Sequence, residues 1–442
     1  MIRKKIYIMT ENGMKKGSLK SNHYFIYMVI VLMFVEILDT YSTTFPTAIP
    51  SKVIEEFLLP HHTLNVAQSI MAACISIATI GTYFVFLNQY LADKVGRKKI
   101  LAFTVFGMGF SALLLFFSSS IIDYTIYLFM LFVFFSSDIW TIYINEEAPQ
   151  DKRALWTNIV LMGGLVGAVL LIVFRAIFIS ETTTYWRGMT FPAIFIGIIM
   201  SIVILFTLKE TSKFKEMKKN KGEKQQSTRT IIQNMKALFS GSNRKGFIAI
   251  LIAGFIVTFN QVFNSMLEEF LFRSPYFTDD DATMILTIIS AAVFIGYILT
   301  GIIADKKGRK VLFYVYAILQ PISVIFVVIG ANSPIGAIVI VALSAGVAYI
   351  SGQSLSVLIR IVSLELVPTE IRGLGTGVKS LIAAFGMTLG LLFSSMTIYS
   401  LPFGELNLGI TFILFSLPYL LIVPLIYFFL KETKDVDLSN VE

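Results

Sequence analysis

Apolar residues along this chain gather in long runs that short polar segments separate. A helix that crosses a membrane needs about 20 predominantly apolar residues, and the chain has twelve runs of roughly that length. The predicted spans are 23–48, 65–91, 100–119, 121–144, 156–179, 188–208, 246–270, 283–304, 311–331, 333–358, 374–398 and 405–430. This pattern predicts an all-α membrane protein with twelve transmembrane helices.

The polar segments between the runs repeat at a nearly constant spacing. Residues 91–99 read LADKVGRKK, and residues 303–311 read IADKKGRKV, 212 positions later. Two further pairs keep almost the same offset: EEAPQDKR at 146–153 with ELVPTEIR at 365–372, and LKET at 208–211 with LKET at 430–433. Three pairs in one order indicate a duplicated chain, so we expect two pseudo-symmetric six-helix bundles. Duplicated helical halves in a membrane are typical of secondary transporters.

This duplication divides the chain into five segments. They are an N-terminal tail at 1–22, a first six-helix bundle at 23–208, a linker at 209–245, a second six-helix bundle at 246–430 and a C-terminal tail at 431–442. Within the linker, 228–240 is either a short amphipathic helix on the inner leaflet or part of a mobile basic segment.

Composition and charge agree with a lipid environment. The 442 residues are 56% hydrophobic and 14% charged, whereas a soluble protein carries about 25% charged residues. Of the 36 Lys and Arg residues, 31 fall on one side of the predicted helices, and three (Lys52, Arg187 and Arg273) fall on the other. This bias predicts that both termini lie in the cytoplasm. We therefore expect a multi-pass monomer in the cell membrane, with the lipid bilayer as its partner and no nucleic acid.

Two of the repeated segments resemble a known family. DKVGRK at 93–98 and DKKGRK at 305–310 resemble the signature loop of the major facilitator superfamily, which joins helices 2 and 3 and helices 8 and 9. Gly301 stands in the leading glycine position of the second copy, where the first copy has Gln89. The other repeated segments resemble the sugar porter and metabolite:proton symporter branch. The resemblance covers the whole chain and implies two bundles that rock about a central site.

Acidic residues and arginines of the repeats form a candidate cytoplasmic gate. Asp93 and Arg97 are four residues apart, so they are neighbours if the loop is helical, and Gly96 permits a tight turn. Such pairs can join the two bundles when the site faces outward and separate when it faces inward. The alternative is that these residues fix topology and contact lipid headgroups. The candidate gate residues are Asp93, Arg97, Glu146, Arg153, Asp305, Arg309, Glu365 and Arg372.

Carboxylates inside predicted helices are candidates for proton coupling, because ionisable residues in a membrane are costly and usually functional. Glu36 and Asp39 are three residues apart on helix 1 and share a face. Asp39 resembles the helix 1 aspartate of proton-coupled sugar porters, and a carboxylate moved out of water binds a proton more readily. Asp138 on helix 4 is a further candidate, as a protonation site or as the partner of a cationic substrate. The alternative for Asp39 is a carboxylate capped by neighbouring hydroxyl groups.

Other charges near the helix ends have less certain roles. Sugar porters pair the helix 1 aspartate with an arginine on helix 4, which this chain lacks. Arg175 on helix 5 either pairs with Asp39 or extends to the outer interface. The pair Glu268–Glu269 is expected at the outer interface, and the acidic cluster 279–281 is expected in a solvated loop or a helix cap.

Polar side chains on helices 7 and 10 predict a substrate site. Asn260, Gln261 and Asn264 partly match the Gln-Gln-x-x-Gly-x-Asn segment with which sugar porters bind hydroxyl groups, and helix 10 adds Tyr349 and Gln353. Amides both donate and accept hydrogen bonds, which suits polyols and neutral polar solutes. The alternative is that these groups only bond one helix to another.

Together these features predict a secondary transporter that moves a small polar metabolite, a sugar or an organic acid, by proton symport. The alternatives are a proton-coupled exporter of drugs or organic cations, an uncoupled uniporter, and a nutrient sensor. Drug exporters of the superfamily carry a proline-containing motif on helix 5, whereas LMGGLVG at 161–167 has no proline. The three histidines are in terminal or loop positions and no nucleophile or metal constellation is evident, so we expect no enzyme, no cofactor and no metal.

Overall fold

The structure, a computed structural model, describes residues 2–135, 139–149, 153–220, 235–236, 238–240, 243–334, 337–367 and 371–433. At residues 2–22, 93, 153–154, 217–218, 220 and 372–373 it describes the backbone only. Twelve helices in the described part of the chain are long and apolar enough to cross a membrane. They are His23–Ala48, Leu64–Ala92, Arg97–Phe116, Ile121–Glu147, Leu155–Phe178, Trp186–Thr207, Arg244–Phe272, Asp279–Lys307, Arg309–Ala331, Ala337–Leu366, Leu374–Ser400 and Gly404–Phe429, numbered here helices 1–12.

Several of these helices are interrupted or extended. Helix 1 begins at Ile2 in an α-helix to Thr44, and helix 2 contains a 3-10 turn at Ile80–Phe84. Helix 7 breaks at Asn260 into Arg244–Phe259 and Gln261–Phe272. Short α-helices also occur at Pro50–Phe57 and Ser212–Asn220, and Ile179–Ser180 pairs with Thr183–Thr184 in an antiparallel hairpin.

The two sets of six helices repeat the same packing. Helix 1 packs on helix 5 as helix 7 packs on helix 11, and helix 3 packs on helix 6 as helix 9 packs on helix 12. The chain therefore forms two pseudo-symmetric six-helix bundles, as the repeated segments predict. Helix 2 of the first half packs on helix 11 of the second half, which joins the bundles.

The ends of the molecule are named here by their loops. The signature-loop face carries Gly96 and Gly308, and the distal face carries residues 49–63, 179–185 and 273–278. One cluster of buried apolar side chains runs from the first half into the second half, including Val262 and Phe412. On the outside, large apolar side chains such as Phe206, 77% exposed, cover the surface. An exposed apolar belt suits contact with lipid tails rather than water.

Two predicted helix boundaries are wrong in ways that matter for the site. Helix 8 begins at Asp279 rather than at residue 283, with Thr278 as its N-cap in a capping box with Asp281. Helix 10 continues to Leu366 rather than ending at residue 358, so Arg360 lies in a helix and not in a loop.

Helix 5 lies unusually close to helix 1. A Cβ atom added at Gly163 would lie 2.6 Å from the carbonyl oxygen of Met33, and one at Gly167 would lie 2.7 Å from that of Ile37. Only glycine permits the two backbones to approach in this way. The glycines of LMGGLVG thus position helix 5 beside the segment of helix 1 that carries Glu36 and Asp39.

This packing predicts opposite effects for two glycine-to-alanine changes. Gly163→Ala should destabilise the protein by about 1–3 kcal/mol, the usual cost of overpacking, and lower its thermal unfolding midpoint in detergent. Gly301→Ala is the matched control, because a Cβ atom there meets nothing within 4 Å and alanine favours a helix. Equal behaviour of the two variants would contradict the close approach of helices 1 and 5.

Candidate functional site

The two halves are joined by hydrogen bonds from the middle of the molecule to the distal face. Thr79 and Thr388 share a bond of 3.0 Å near the middle of helices 2 and 11. Further toward the distal face, the hydroxyl group of Ser69 donates to the carbonyl oxygen of Ser395 at 2.9 Å. Helices 2 and 11 thus form one wall of the contact between the bundles.

Buried charges close the distal face. Arg175, 1% exposed, lies 3.1 Å from a carboxylate oxygen of Glu268, which is fully buried. Lys52 lies 2.9 Å from Asp279, and its ammonium group also stands 3.8 Å from the ring centre of Phe272. Each cation comes from the first half and each acid from the second half. Because a buried charge without a partner is very costly, these pairs hold the halves together at this face.

Polar groups around these pairs also donate hydrogen bonds to the two glutamates. Glu268 accepts hydrogen bonds from the backbone N–H and the hydroxyl group of Ser51, at 2.9 and 2.7 Å. Glu269 accepts from Gln68 at 3.0 Å and from Arg273 at 2.9 Å. We call the set Lys52, Arg175, Glu268, Glu269 and Asp279 the distal latch.

Two expectations are therefore wrong, and a third is confirmed only in part. Glu268 and Glu269 are buried between the halves rather than at the outer interface, because Arg175 and Gln68 face them from the first half. Arg175 pairs with Glu268 and neither extends to the interface nor pairs with Asp39. Asp279 is not a solvated loop residue, although its neighbour Asp281 does cap helix 8.

Two adjacent cavities lie between the halves. The central cavity, of about 230 Å³, is lined by Thr43, Phe135 and Thr79 from the first half and by Gln261 and Ser265 from the second half. The mixture of hydroxyl, amide and aromatic groups suits a small polar solute.

The second cavity adjoins the first, since Thr43 and Phe135 line both. We call it the acidic cavity. It has a volume of about 200 Å³ and is lined by Glu36 and Asp39 of helix 1 and by Arg360 of helix 10. Their three-residue spacing puts the two acids on one face, as predicted.

Arg360 is the residue that the sequence analysis missed. It is exposed, and it attracts the carboxylate of Glu36 electrostatically from the other half. It stands six residues before the end of helix 10, which is roughly 9 Å along the helix axis. Because helix 10 was predicted to end at residue 358, Arg360 was counted with the basic residues of the loops. Extending the predicted helix by two turns would have put Arg360 among the candidate site residues.

The predicted substrate residues occupy different surroundings. Gln261 lines the central cavity, and Asn264 donates to its side-chain oxygen at 3.4 Å. Tyr349 donates to the carbonyl oxygen of Asn264 at 3.3 Å. Asn260 is buried at the break in helix 7, and Gln353 accepts from Tyr297 on helix 8 at 3.3 Å. Gln261 thus faces the cavity, whereas the other contacts join helices.

The three repeated segments of the first half meet at the signature-loop face. Arg97 donates to Glu146 at 3.2 Å, and Glu210 accepts from the backbone N–H of Lys98 at 3.2 Å. Gly96 has a φ of 123°, and a side chain there would collide with the Glu210 carboxylate. The carboxylate thus binds the exposed N–H groups at the start of helix 3.

The second half repeats this arrangement. Arg309 donates to Glu365 at 3.0 Å, and Glu432 accepts from the backbone N–H groups of Arg309 and Lys310 at 2.9 and 3.2 Å. Asp305 and Arg309 are neighbours at 3.6 Å, as their spacing predicts. Both arginine–glutamate pairs lie within one half in this conformation, so their role as a gate between the halves stays a prediction.

Some predicted residues lie outside the described residues. They are Asp138, the side chains of Asp93, Arg153 and Arg372, and most of the linker segment 228–240.

Comparison with known proteins agrees with this architecture. No curated protein sequence matches the chain. A D-xylose-proton symporter shares 18% identity, with a TM-score of 0.75 over 93% of this chain and 99% of that chain. The inward open xylose transporter XylE from E. coli shares 17% identity, with a TM-score of 0.70 over 94% and 98%. The nucleoside transporter NupG shares 13% identity, with a TM-score of 0.71 over 91% and 100%.

These similarities show the fold of a transporter rather than that of an enzyme. The family model of the Major Facilitator Superfamily matches residues 25–363. With twelve membrane helices in two related bundles, the chain is a multi-pass membrane protein that belongs to the Major Facilitator Superfamily.

Proposed function

We propose that the chain is a secondary active transporter of the cell membrane that moves a small polar metabolite, a sugar or an organic acid, by proton symport. The observation that carries this proposal is the acidic cavity. Asp39, 3% exposed, lines it beside Glu36, and a carboxylate removed from water gains and loses a proton readily as its surroundings change. Solute and proton would thus share connected cavities.

The similarity to a D-xylose-proton symporter supports the same mechanism. The chain lacks an arginine on helix 4. Arg360 supplies a positive charge near Glu36 from the second half instead. A positive charge that approaches and leaves a carboxylate as the halves rock would release and admit the proton, which is the requirement for coupling.

The conformation supports an alternating-access mechanism. The distal latch joins the halves, whereas Arg97 and Arg309 are each paired within their own half at the signature-loop face. With both termini in the cytoplasm, as the charge bias favours, a joined distal face is the arrangement expected of a state that opens toward the cytoplasm.

The first prediction concerns coupling. Asp39→Asn should abolish uptake driven by a proton gradient while solute exchange across the membrane persists, because the amide fills the space of the carboxylate but carries no proton. Both activities are measured in proteoliposomes. Asp280→Asn, which changes an exposed acid on the distal face, is the control and should behave as wild type. Full gradient-driven uptake in Asp39→Asn would exclude Asp39 from coupling and favour a uniporter or another proton site.

The second prediction concerns the distal latch. Glu268→Gln removes the nearer charged partner of Arg175, at 3.1 Å, and leaves Asp279 at 3.8 Å. This loss matters only while the distal face is closed, so the open state should gain population. Removing one partner of a buried pair costs about 3–5 kcal/mol, enough to bring a state populated at roughly 1% to parity. Spin labels at Glu181→Cys and Asn332→Cys, in a Cys74→Ala background, should report longer distances by double electron–electron resonance.

The control for this variant is an ion pair at the same face but within one half. Arg187 donates two hydrogen bonds of 2.7 Å to Glu56. Partial burial acts to raise the pKa of Glu56, but the hydrogen bonds from Arg187 and Trp186 outweigh it and hold the pKa below its ordinary value, so Glu56 is ionised. Glu56→Gln should leave the distance distribution unchanged. If Glu268→Gln does the same, the latch does not control the distal face.

The third prediction separates substrate contact from helix contact on helix 7. Gln261→Ala should raise the KM for the transported solute about fivefold to tenfold, because one neutral hydrogen bond contributes about 1 kcal/mol. Asn260→Ala should lower the thermal unfolding midpoint while KM stays near the wild-type value. The reverse pattern would move the substrate site from Gln261 to Asn260.

A further inference from the structure

The acidic cavity presents opposite charges on opposite walls. Glu36 and Asp39 belong to helix 1 of the first half, and Arg360 belongs to helix 10 of the second half. Arg360 attracts Glu36 across the gap. A solute that enters this cavity therefore meets negative charge on one side and positive charge on the other.

Aromatic side chains lie on the same side as the acids. Trp140, buried on helix 4, and Phe135 both line the cavity. The face of an aromatic ring attracts ammonium groups, and tryptophan does so most strongly. The first half therefore places two aromatic side chains beside the carboxylates that would meet a cationic group.

From this arrangement we propose that the acidic cavity binds a zwitterion of the amino-acid class. Glu36, Asp39 and Trp140 bind its ammonium group, and Arg360 binds its carboxylate. This inference rests on the proposed proton-coupled transport of a small polar metabolite and narrows that metabolite to an amino acid, in place of a sugar or a hydroxy acid.

Other solute classes match the cavity less well. Three ionisable side chains of the described residues line the cavity. A sugar offers a charge to none of them, and a hydroxy acid offers a charge to Arg360 only. An organic cation meets the acids but is repelled by Arg360. A zwitterion pairs with both walls, which avoids the cost of burying unpaired charges. The volume of about 200 Å³ equals roughly seven water molecules at ~30 Å³ each, so a small amino acid fits.

The charges of the loaded site also balance. With the coupled proton on one of the two acids, the other acid pairs with the ammonium group and Arg360 pairs with the carboxylate. The charges of these three described side chains, the proton and the ligand then sum to zero, which favours closure of the cavity in a low-dielectric surrounding. Because Arg360 and the acids belong to different halves, the ligand also links the two bundles through a guanidinium–carboxylate contact.

The experiment is current measurement on proteoliposomes of the full chain adsorbed on a solid support. The probes are a pool of the protein amino acids and glycine betaine, tested singly after a positive response. The matched solutes are L-lactate, which replaces the ammonium group with a hydroxyl group, L-alaninamide, which lacks the carboxylate, and D-xylose. We expect proton-coupled current with at least one zwitterion and none with D-xylose or L-alaninamide. Because L-lactate and one proton together carry no net charge, proton uptake with L-lactate is followed instead by a pH-sensitive dye inside the vesicles, and we expect none.

Variants of Arg360 test its part in binding. Arg360→Gln should raise the half-saturating concentration of the zwitterion about tenfold or more. Arg360→Lys keeps the charge but loses the planar fork, so it should retain zwitterion selectivity with weaker binding. Arg244→Gln, at an exposed arginine at the start of helix 7, is the control and should match wild type. Thermal unfolding of each variant in detergent verifies that it is folded.

Several outcomes would overturn the inference. Proton-coupled current with D-xylose, or proton uptake with L-lactate, and no current with any zwitterion rejects the zwitterion class but leaves proton symport standing. Zwitterion current that is unchanged in folded Arg360→Gln rejects the role of Arg360. If no solute in the panel evokes current while exchange of one of them is measurable, the proposed proton coupling fails as well.

Discussion

The structure depends on the cost of burying charge where water is absent. In the distal latch, the cations Lys52 and Arg175 come from the first half, and the acids Glu268 and Asp279 come from the second half. While the halves are together, each charge has a partner. If the halves begin to separate without water, Arg175 loses Glu268 and Asp279, and both acids lose their cations, which is the costly case. Lys52 keeps only Glu55 of its own half, at 3.6 Å. Opening of the latch therefore requires that water enter and solvate these charges.

The duplication explains one part of the molecule and not another. At the signature-loop face both halves build the same cluster. In each half an arginine binds a glutamate of another repeated segment of that half, and a second carboxylate accepts a backbone hydrogen bond from the start of a helix. In the acidic cavity the halves differ, since the first half supplies Glu36 and Asp39 and the second supplies Arg360. The repeated clusters maintain the frame of each bundle. The residues that differ between the two bundles give the cavity its chemistry, because two identical walls would bear the same charge.

The sequence predicts the frame better than the interfaces. Long apolar runs and repeated polar segments follow from local constraints, namely span length and the need of a helix start for hydrogen-bond partners, so twelve helices in two bundles could be predicted. The latch could not, because the contact of Arg175 with Glu268 depends on how the two bundles meet. Arg360 was missed because a helix end is set by capping and packing as well as by apolarity. Of the predicted substrate residues, Gln261 faces a cavity, whereas Asn260 lies at a helix break that no periodicity reveals.

The latch and the acidic cavity form two different kinds of contact between the same two bodies. The distal contact is complete within the protein, since its charges already have partners. Across the acidic cavity, by contrast, Glu36 and Asp39 line one wall and Arg360 lines the other. Under the proposed function, a proton and a zwitterion would pair with these charges as the signature-loop face closes. The cost of burying charge, which holds the distal face together, would then make closure of the opposite face depend on cargo, and a coupled transporter needs this dependence to avoid running empty.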